Sequence, residues 1–452
     1  MRRGQVPGLW AGWAAGLPVI LAATLAAAAV WAAPATHQGV ASCAGSTCHG
    51  RPAPSGITVR QNELITWQGP GDAGAHSRAW KVLAQPRAQA IADRLGIGPA
   101  TRAKECLGCH ADPAPPGERG ARFQISDGVG CEACHGGSGG WLASHYALGA
   151  THAANVAHGM VALETPKARA AVCLDCHYGG NKPGQFATHE IMAAGHPRIG
   201  FELELFTDLQ RHYDIDADYQ QRKTWPSPVK VWAVGQAMAL DRALTLYQQP
   251  AHNPAGAFPE FYFFDCQSCH RQISDDPKFR PAAQPNPGRP IPVGQPPFND
   301  ENMIMLSAAA KVAAPQLSAR FEAESRAFHV ALVKDRGAAI RAAGELAATS
   351  RQLADVFAAR AFSRGETLAI YETLFTGESA RRLTDYAGAA QAVMAADTLM
   401  TALASEGDRA AASRARPDLE RAYQAVRDPN GFRPDALRAA LQAAAEKARA
   451  AR

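Results

Sequence analysis

All ten cysteines of this 452-residue chain fall in pairs, and a histidine follows the second cysteine of every pair. Four pairs have two residues between the thiols: Cys106-Leu107-Gly108-Cys109-His110, Cys131-Glu132-Ala133-Cys134-His135, Cys173-Leu174-Asp175-Cys176-His177 and Cys266-Gln267-Ser268-Cys269-His270. A fifth, Cys43-Ala44-Gly45-Ser46-Thr47-Cys48-His49, is wider by two residues. A disulfide framework gives no reason for a histidine after each pair, and structural zinc draws its four ligands from two facing pairs. Covalent attachment of c-type haem accounts for the whole pattern. Each thiol adds across one vinyl group of the porphyrin, and the adjacent histidine lies under the iron as its proximal ligand. The reading is five covalently attached c-type haems, with His49, His110, His135, His177 and His270 as proximal ligands. The wide first motif then needs a loop that bulges between its thiols.

Porphyrin in the interior relieves the surrounding chain of building a continuous apolar core, because thioether bonds and iron ligation staple it. The expected fold class is therefore mostly α: a multihaem cytochrome c domain with a haem-filled core over 36–276, then a C-terminal Ala-rich helical bundle. Before the second motif, Trp80 and Leu83, then Ala88, Ile91 and Leu95, follow helical spacing on either side of Pro86. Eighty-eight residues separate His177 from Cys266, and within them Val229 to Gln249 reads as one helix with Val229, Trp232, Gln236, Leu240, Leu244 and Tyr247 near one face. Residues 277–299 hold eight prolines and read as a stiff linker or wrapping arm. From 300 to 452 there is no cysteine and a single histidine, His329. Leu317, Phe321, Phe328, Leu332, Leu353, Phe357 and Leu368 recur at helical spacing there. Breaks at Gly377, Pro417 and Asp428-Pro429-Asn430-Gly431 suggest four to six helices.

Residues 1–35 read as an export signal: Arg2-Arg3, an apolar run from Leu9 to Ala33, and a small-residue end. The run is also long enough to span a bilayer, so an uncleaved anchor is the alternative, and the N-terminal segment is the only expected membrane contact. Either way the body of the protein belongs in the periplasm. The formal charge of +5 gives no argument for nucleic acid. Without the two leader arginines, and with ten propionates and five ferric cores added, it becomes about −2.

Ten histidines are left once the five proximal ones are set aside. His145 and His152 lie seven apart, as do His189 and His196. On one helix such pairs would stand about 10 Å apart along the axis, suited to two neighbouring irons. His76, His145, His152, His189 and His196 are the expected distal ligands. His37, His158, His212 and His252 are set behind them, and Met303 and Met305 read as packing inward. The acidic run Asp208, Asp214, Asp216 and Asp218 lacks the loop glycine and ligand spacing of a calcium site.

Three segments resemble the multihaem cytochrome c-554 type, also called the cytochrome c-552/4 family: Ala75-His76-Ser77-Arg78-Ala79-Trp80, Gly130-Cys131-Glu132-Ala133-Cys134-His135-Gly136 and Ala194-Gly195-His196-Pro197. The resemblance spans roughly 37–275. It implies a periplasmic, mostly helical electron carrier with closely stacked haems, and distal ligation by His76 and His196. In some members one haem is five-coordinate. The best-known members carry four haems, so Cys266–His270 looks like an addition, and the region after 300 has no counterpart. Electron transfer between redox partner proteins, membrane quinol-linked or other cytochromes, is the leading expectation. The alternative is a haem enzyme acting on a small nitrogen or sulfur species at one open iron, with Arg78, Lys81, Arg198 or Lys223 placing the anion. The C-terminal helices read as a docking module for a redox partner or for self-association.

Overall fold

The structure, a computed structural model, describes residues 36–54, 60–215, 219, 221, 223, 225–253, 259–270, 274–278, 286–292 and 295–449. The expected export signal lies outside these residues. Among them the protein is mostly α. Its extended pairings are two isolated bridges, His37 with Arg119 and Phe264 with Phe298.

In the cysteine-bearing part the helices are short. They include Lys104–His110 (α1), Cys131–His135 (α2), Pro166–His177 (α3), His189–Ala193 (α4) and Leu203–Leu209 (α5). Pro86 opens the helix Pro86–Leu95 directly after Ala79–Leu83, where its fixed φ fits the first turn. Apolar packing is thin here. Leu83, Ala92 and Ala100 form one small knot, and Ala170, Leu174, Phe201 and Leu203 form another with Val231 and Ala239. The two histidine pairs seven residues apart do not lie on single helices. Gly149 (φ +77°) separates Leu142–His145 from His152–Ala157, and Gly195 (φ +118°) ends the turn between α4 and His196. Both glycines take a left-handed conformation that a helix does not accommodate.

Pro228–Gln248 (α6) is the longest helix among the described residues before 300. Trp232, Leu240, Leu244 and Tyr247 are buried as the periodicity predicts, but so are Val231, Ala233, Val234 and Ala237 on the other faces. Apolar burial on several faces means a helix largely enclosed by neighbours, with Asp241 and Arg242 on its remaining polar side. Eight helices follow: Glu301–Ala313 (α7), Pro315–Leu332 (α8), Arg336–Ala359 (α9), Arg364–Phe375 (α10), Gly377–Arg381 (α11), Tyr386–Ser405 (α12), Arg409–Ala425 (α13) and Pro434–Arg449 (α14). Helix α6 packs on α9, α7 and α12 as well as on α3 and α5. One continuous apolar core runs from Val229 to Ala448. All described residues belong to one compact unit. The composition change near residue 300 is therefore not a gap in packing.

Eight helices exceed the four to six expected, partly because α11 is a single short turn. Pro417 does not break the chain: it sits inside α13. Beside it the fully buried Asp418 pairs with Lys447 at 2.6 Å and with Arg421, fastening α13 to α14. That packing offsets the one backbone hydrogen bond that proline removes. Helix starts are well capped. Ser363 and Glu366 form a capping box on α10, and Asp335, Asp385 and Asp408 accept backbone N–H groups of α9, α12 and α13.

The described part of the proline-rich arm wraps the bundle. Asn286 donates to the Arg382 carbonyl at 2.8 Å, and Phe298 is buried against Phe328, ring centroids 4.9 Å apart. Arg289, 5% exposed, makes two hydrogen bonds of 2.7 Å to Asp300 and a third contact to Asp385. Removing that guanidinium leaves two buried carboxylates uncompensated. Arg289→Ala should cost about 3–5 kcal/mol. Thermal unfolding followed by far-UV circular dichroism checks this, and a loss under about 1 kcal/mol would mean the arm is not held by this pair.

Candidate haem sites

Each motif is shaped by a hydrogen bond that turns the chain back on itself. In the fifth, the His270 N–H donates to the Cys266 carbonyl at 2.7 Å. The wide first motif closes in the same way, with the His49 N–H donating to the Cys43 carbonyl at 3.1 Å. Its extra residues form a side turn in which the Cys48 and Gly50 N–H groups both donate to the Gly45 carbonyl. The bulged loop therefore leaves the first cysteine and the histidine related as in the shorter motifs. The second motif lies in α1, the third is α2, and the fourth ends α3. None of the ten cysteines forms a disulfide; Cys48 and Cys269 are exposed and the other eight half-buried.

Every motif histidine faces a second histidine. The pairs are His49 with His145 (ring centroids 6.1 Å apart), His110 with His196 (6.2 Å), His135 with His212 (6.4 Å), His177 with His76 (6.3 Å) and His270 with His189 (6.1 Å). Direct ring contact would tie separation to angle, since parallel rings approach more closely than perpendicular ones. The near-parallel His177 and Phe201 rings, for example, stand 4.5 Å apart. Here the separation stays constant while the interplanar angle runs from 19° to 89°. Two metal–imidazole bonds of about 2.0 Å, plus the distance from each nitrogen to its ring centre, span about 6.3 Å. The spacing fits one iron between each pair.

Second partners fix several rings. Nδ1 of His110 donates to the Ala79 carbonyl at 2.9 Å and Nδ1 of His196 to the Pro197 carbonyl at 2.8 Å. Nδ1 of His49 meets the Glu63 carboxylate at 3.0 Å. Holding the proton on Nδ1 leaves the Nε2 lone pair for a metal. Burial pushes the pKa of His135 and of His177 down to about 4, and it lowers those of His76, His145, His196 and His212. At neutral pH these rings are in the uncharged form a metal requires. Buried donors without a protein partner, among them Arg51 Nε, Trp80 Nε1, Arg169 Nη1 and Arg211 Nε, suit propionate oxygens.

The sites adjoin one another. The Cys43 thiol lies within hydrogen-bond reach of Cys131, and Cys109 within reach of Cys176. Cys134 lies close enough to Cys173 and Cys176 to interact with both. Gly108 lets the second motif lie against the loop that follows the fourth, since a Cβ there would stand 2.5 Å from the Gly184 carbonyl carbon.

Of the five expected distal ligands, His76, His145, His189 and His196 face motif histidines. His152 does not. It is exposed, and its Nε2 meets Glu164 at 2.9 Å. His212, set behind it in the sequence, takes the place opposite His135. The signal that could have favoured it is the kink at Gly149, which removes the shared helix on which His152 was placed. His37 pairs with Asp112, and His252 packs on Phe186. Asp208 pairs with Arg211 and Asp214 with Arg60, so both are engaged as ordinary ion pairs.

Residues 42–136, which contain the first three motifs, match the family model described as cytochrome c554 and c-prime. No curated protein and no solved structure matches the chain. The family match supports covalently bound c-type haem with iron and a role in electron transfer with redox partner proteins. Two substitutions test the ligand set. His212→Ala should convert one ferric haem from low to high spin, read by optical and electron paramagnetic resonance spectra, while His152→Ala should leave the spectrum unchanged. A second test uses the ring angles. Near-parallel axial rings split the iron d orbitals and give rhombic signals, whereas near-perpendicular rings leave them almost degenerate and give a single broad low-field feature. Two pairs are near-parallel, at 19° and 29°, and three lie between 74° and 89°, so a two-to-three ratio of the two signal types is expected.

Proposed function

We propose that the chain is a periplasmic pentahaem c-type cytochrome that carries electrons along a row of bis-histidine haems between two redox partner proteins. The observation carrying this reading is the constant 6.1–6.4 Å separation at which each motif histidine faces a histidine of its own. Ligation from both faces closes an iron to outside molecules and leaves electron exchange as its chemistry. Bound haem supplies reversible one-electron exchange; the chain supplies attachment, axial ligands and burial.

The thiol neighbours order the sites first, third, fourth, second. The fifth adjoins the second, because His189 and His196 occupy one short stretch of chain on either side of Gly195. Cys48 and Cys269, the two exposed cysteines, belong to the first and fifth sites, the two ends of that order. Beside His145 of the first site, Tyr146 and Leu148 are exposed apolar side chains, a surface a partner protein can cover. Such partners would be membrane quinol-linked or other cytochromes. Among the described residues no helix is long and apolar enough to cross a membrane.

The competing reading, a haem enzyme acting on a nitrogen or sulfur species, needs one iron with an open face. No motif histidine lacks a facing ring, so the geometry does not favour it. The purified ferric protein should show only low-spin haem, unchanged on adding nitrite, nitric oxide or cyanide. A high-spin fraction that shifts with any of these would overturn the carrier reading.

A further inference from the structure

A cavity of about 400 Å³ lies where the arm at Pro287 and Gly288 crosses α7, α8 and α11. That volume is within the usual range for small-molecule sites. It is lined by one polar stripe of α8, in which Glu322, Ser325, Arg326 and His329 recur at helical spacing among otherwise apolar helices. Two of these side chains are buried and incomplete. His329 is 1% exposed, and its Nδ1 donates to the Ser325 carbonyl at 2.8 Å. A carbonyl only accepts, so the ring proton sits on Nδ1 and the Nε2 lone pair is open, with no hydrogen-bond partner. The Ser325 hydroxyl, 8% exposed, also lacks one. A buried polar atom left unpaired carries a desolvation cost that a ligand supplying its hydrogen bond recovers.

The charges are arranged along the cavity. At the floor, Asp300 shares the single guanidinium of Arg289 with Asp385, leaving one negative charge in excess. Asp300 Oδ2 stands 3.9 Å from His329 Nε2. At the mouth, Arg326 and Arg381 are exposed, and no ion pair is formed by either among the described residues. Glu378 is the rim carboxylate opposing them, while Glu322 is already taken by Arg382 at 2.9 Å. The floor thus favours a positively charged hydrogen-bond donor, and the rim favours an anion.

We propose that this cavity binds a small amino carboxylate, its ammonium directed inward to His329 and Asp300 and its carboxylate held at the mouth by Arg326 and Arg381. This site uses no haem ligand and does not depend on the electron-carrier reading. The test is isothermal titration calorimetry on the full-length haem-loaded protein with glycine, alanine and glutamate, alongside lactate and propionate as acids without the ammonium. At least one amino acid should bind saturably at one site, about tenfold or more tighter than propionate and lactate. The double substitution Arg326→Ala/Arg381→Ala, confined to exposed side chains, should weaken it about tenfold or more with the low-spin spectrum unchanged. Ser325→Ala should weaken it as well. No heat with any of the three amino acids, binding as tight for propionate or lactate, or full affinity in the double variant would each overturn the proposal.

Discussion

The rest of the molecule depends on holding pairs of imidazoles apart, their ring centres about 6 Å from one another. Polypeptide packing alone does not favour this, since buried nitrogens with nothing between them forfeit both hydration and contact. The protein meets the requirement with short, irregular segments tied at many points. The Glu132 carboxylate, almost fully buried, accepts from the Gln38, Gly39 and Ser138 N–H groups, and this gathers the first motif, the third motif and the loop after it. Arg242 on α6 reaches Asp175 at 2.6 Å and so holds the fourth motif to the central helix.

The contrast between thin packing before residue 210 and the continuous core after 228 follows from the same requirement. Where prosthetic groups would supply interior volume, helices of four to twelve residues suffice, because those that carry the motifs would be fixed at their cysteines and histidine rather than by a long apolar face. Without such anchors, α6 to α14 need long faces, small alanines that let axes approach, and acidic caps. Helix α6 joins the two regimes, lying against α3 and α5 as well as against α9. The C-terminal helices therefore complete the burial of α6, and a chain ending near Asn299 would expose that helix rather than release an independent module.

What the sequence revealed divides by range. The expected attachment cysteines and proximal histidines lie within five or seven consecutive residues, so that expectation needs spacing alone. The helical bundle was legible because periodicity is local too. The histidines that face the motif histidines are set by contacts across the chain. His76 lies 34 residues before His110 yet faces His177, 101 residues away. No spacing rule selects His212 over His152. That choice depends on how α5 delivers the segment after Leu209 to α2, a tertiary outcome. Pro417 departs from the expected break for a related reason, since its helix-breaking tendency is local while the Asp418–Lys447 clamp that overrides it is not.

The fifth motif shows what the haem-free bundle contributes. Unlike the second, third and fourth motifs, it has no α-helix of its own, only the 3-10 turn Cys266–Ser268. Its position comes from outside. The Asp265 N–H donates to the Pro297 carbonyl at 2.9 Å, the Asn299 side chain donates to the Tyr262 and Phe264 carbonyls, and Phe263 and Phe264 enter the bundle core. Burial, and then repulsion from Asp385, pushes the Asp265 carboxyl up to about 6, directly beside Cys266. The arm that presents Pro297 is fastened by Arg289 to α12 through Asp385. A motif without an intrinsic helix is thus positioned by residues up to 120 positions away. The apo bundle is the structural support of the terminal site, and that gives its apolar helices a reason to share one core with a haem-binding chain.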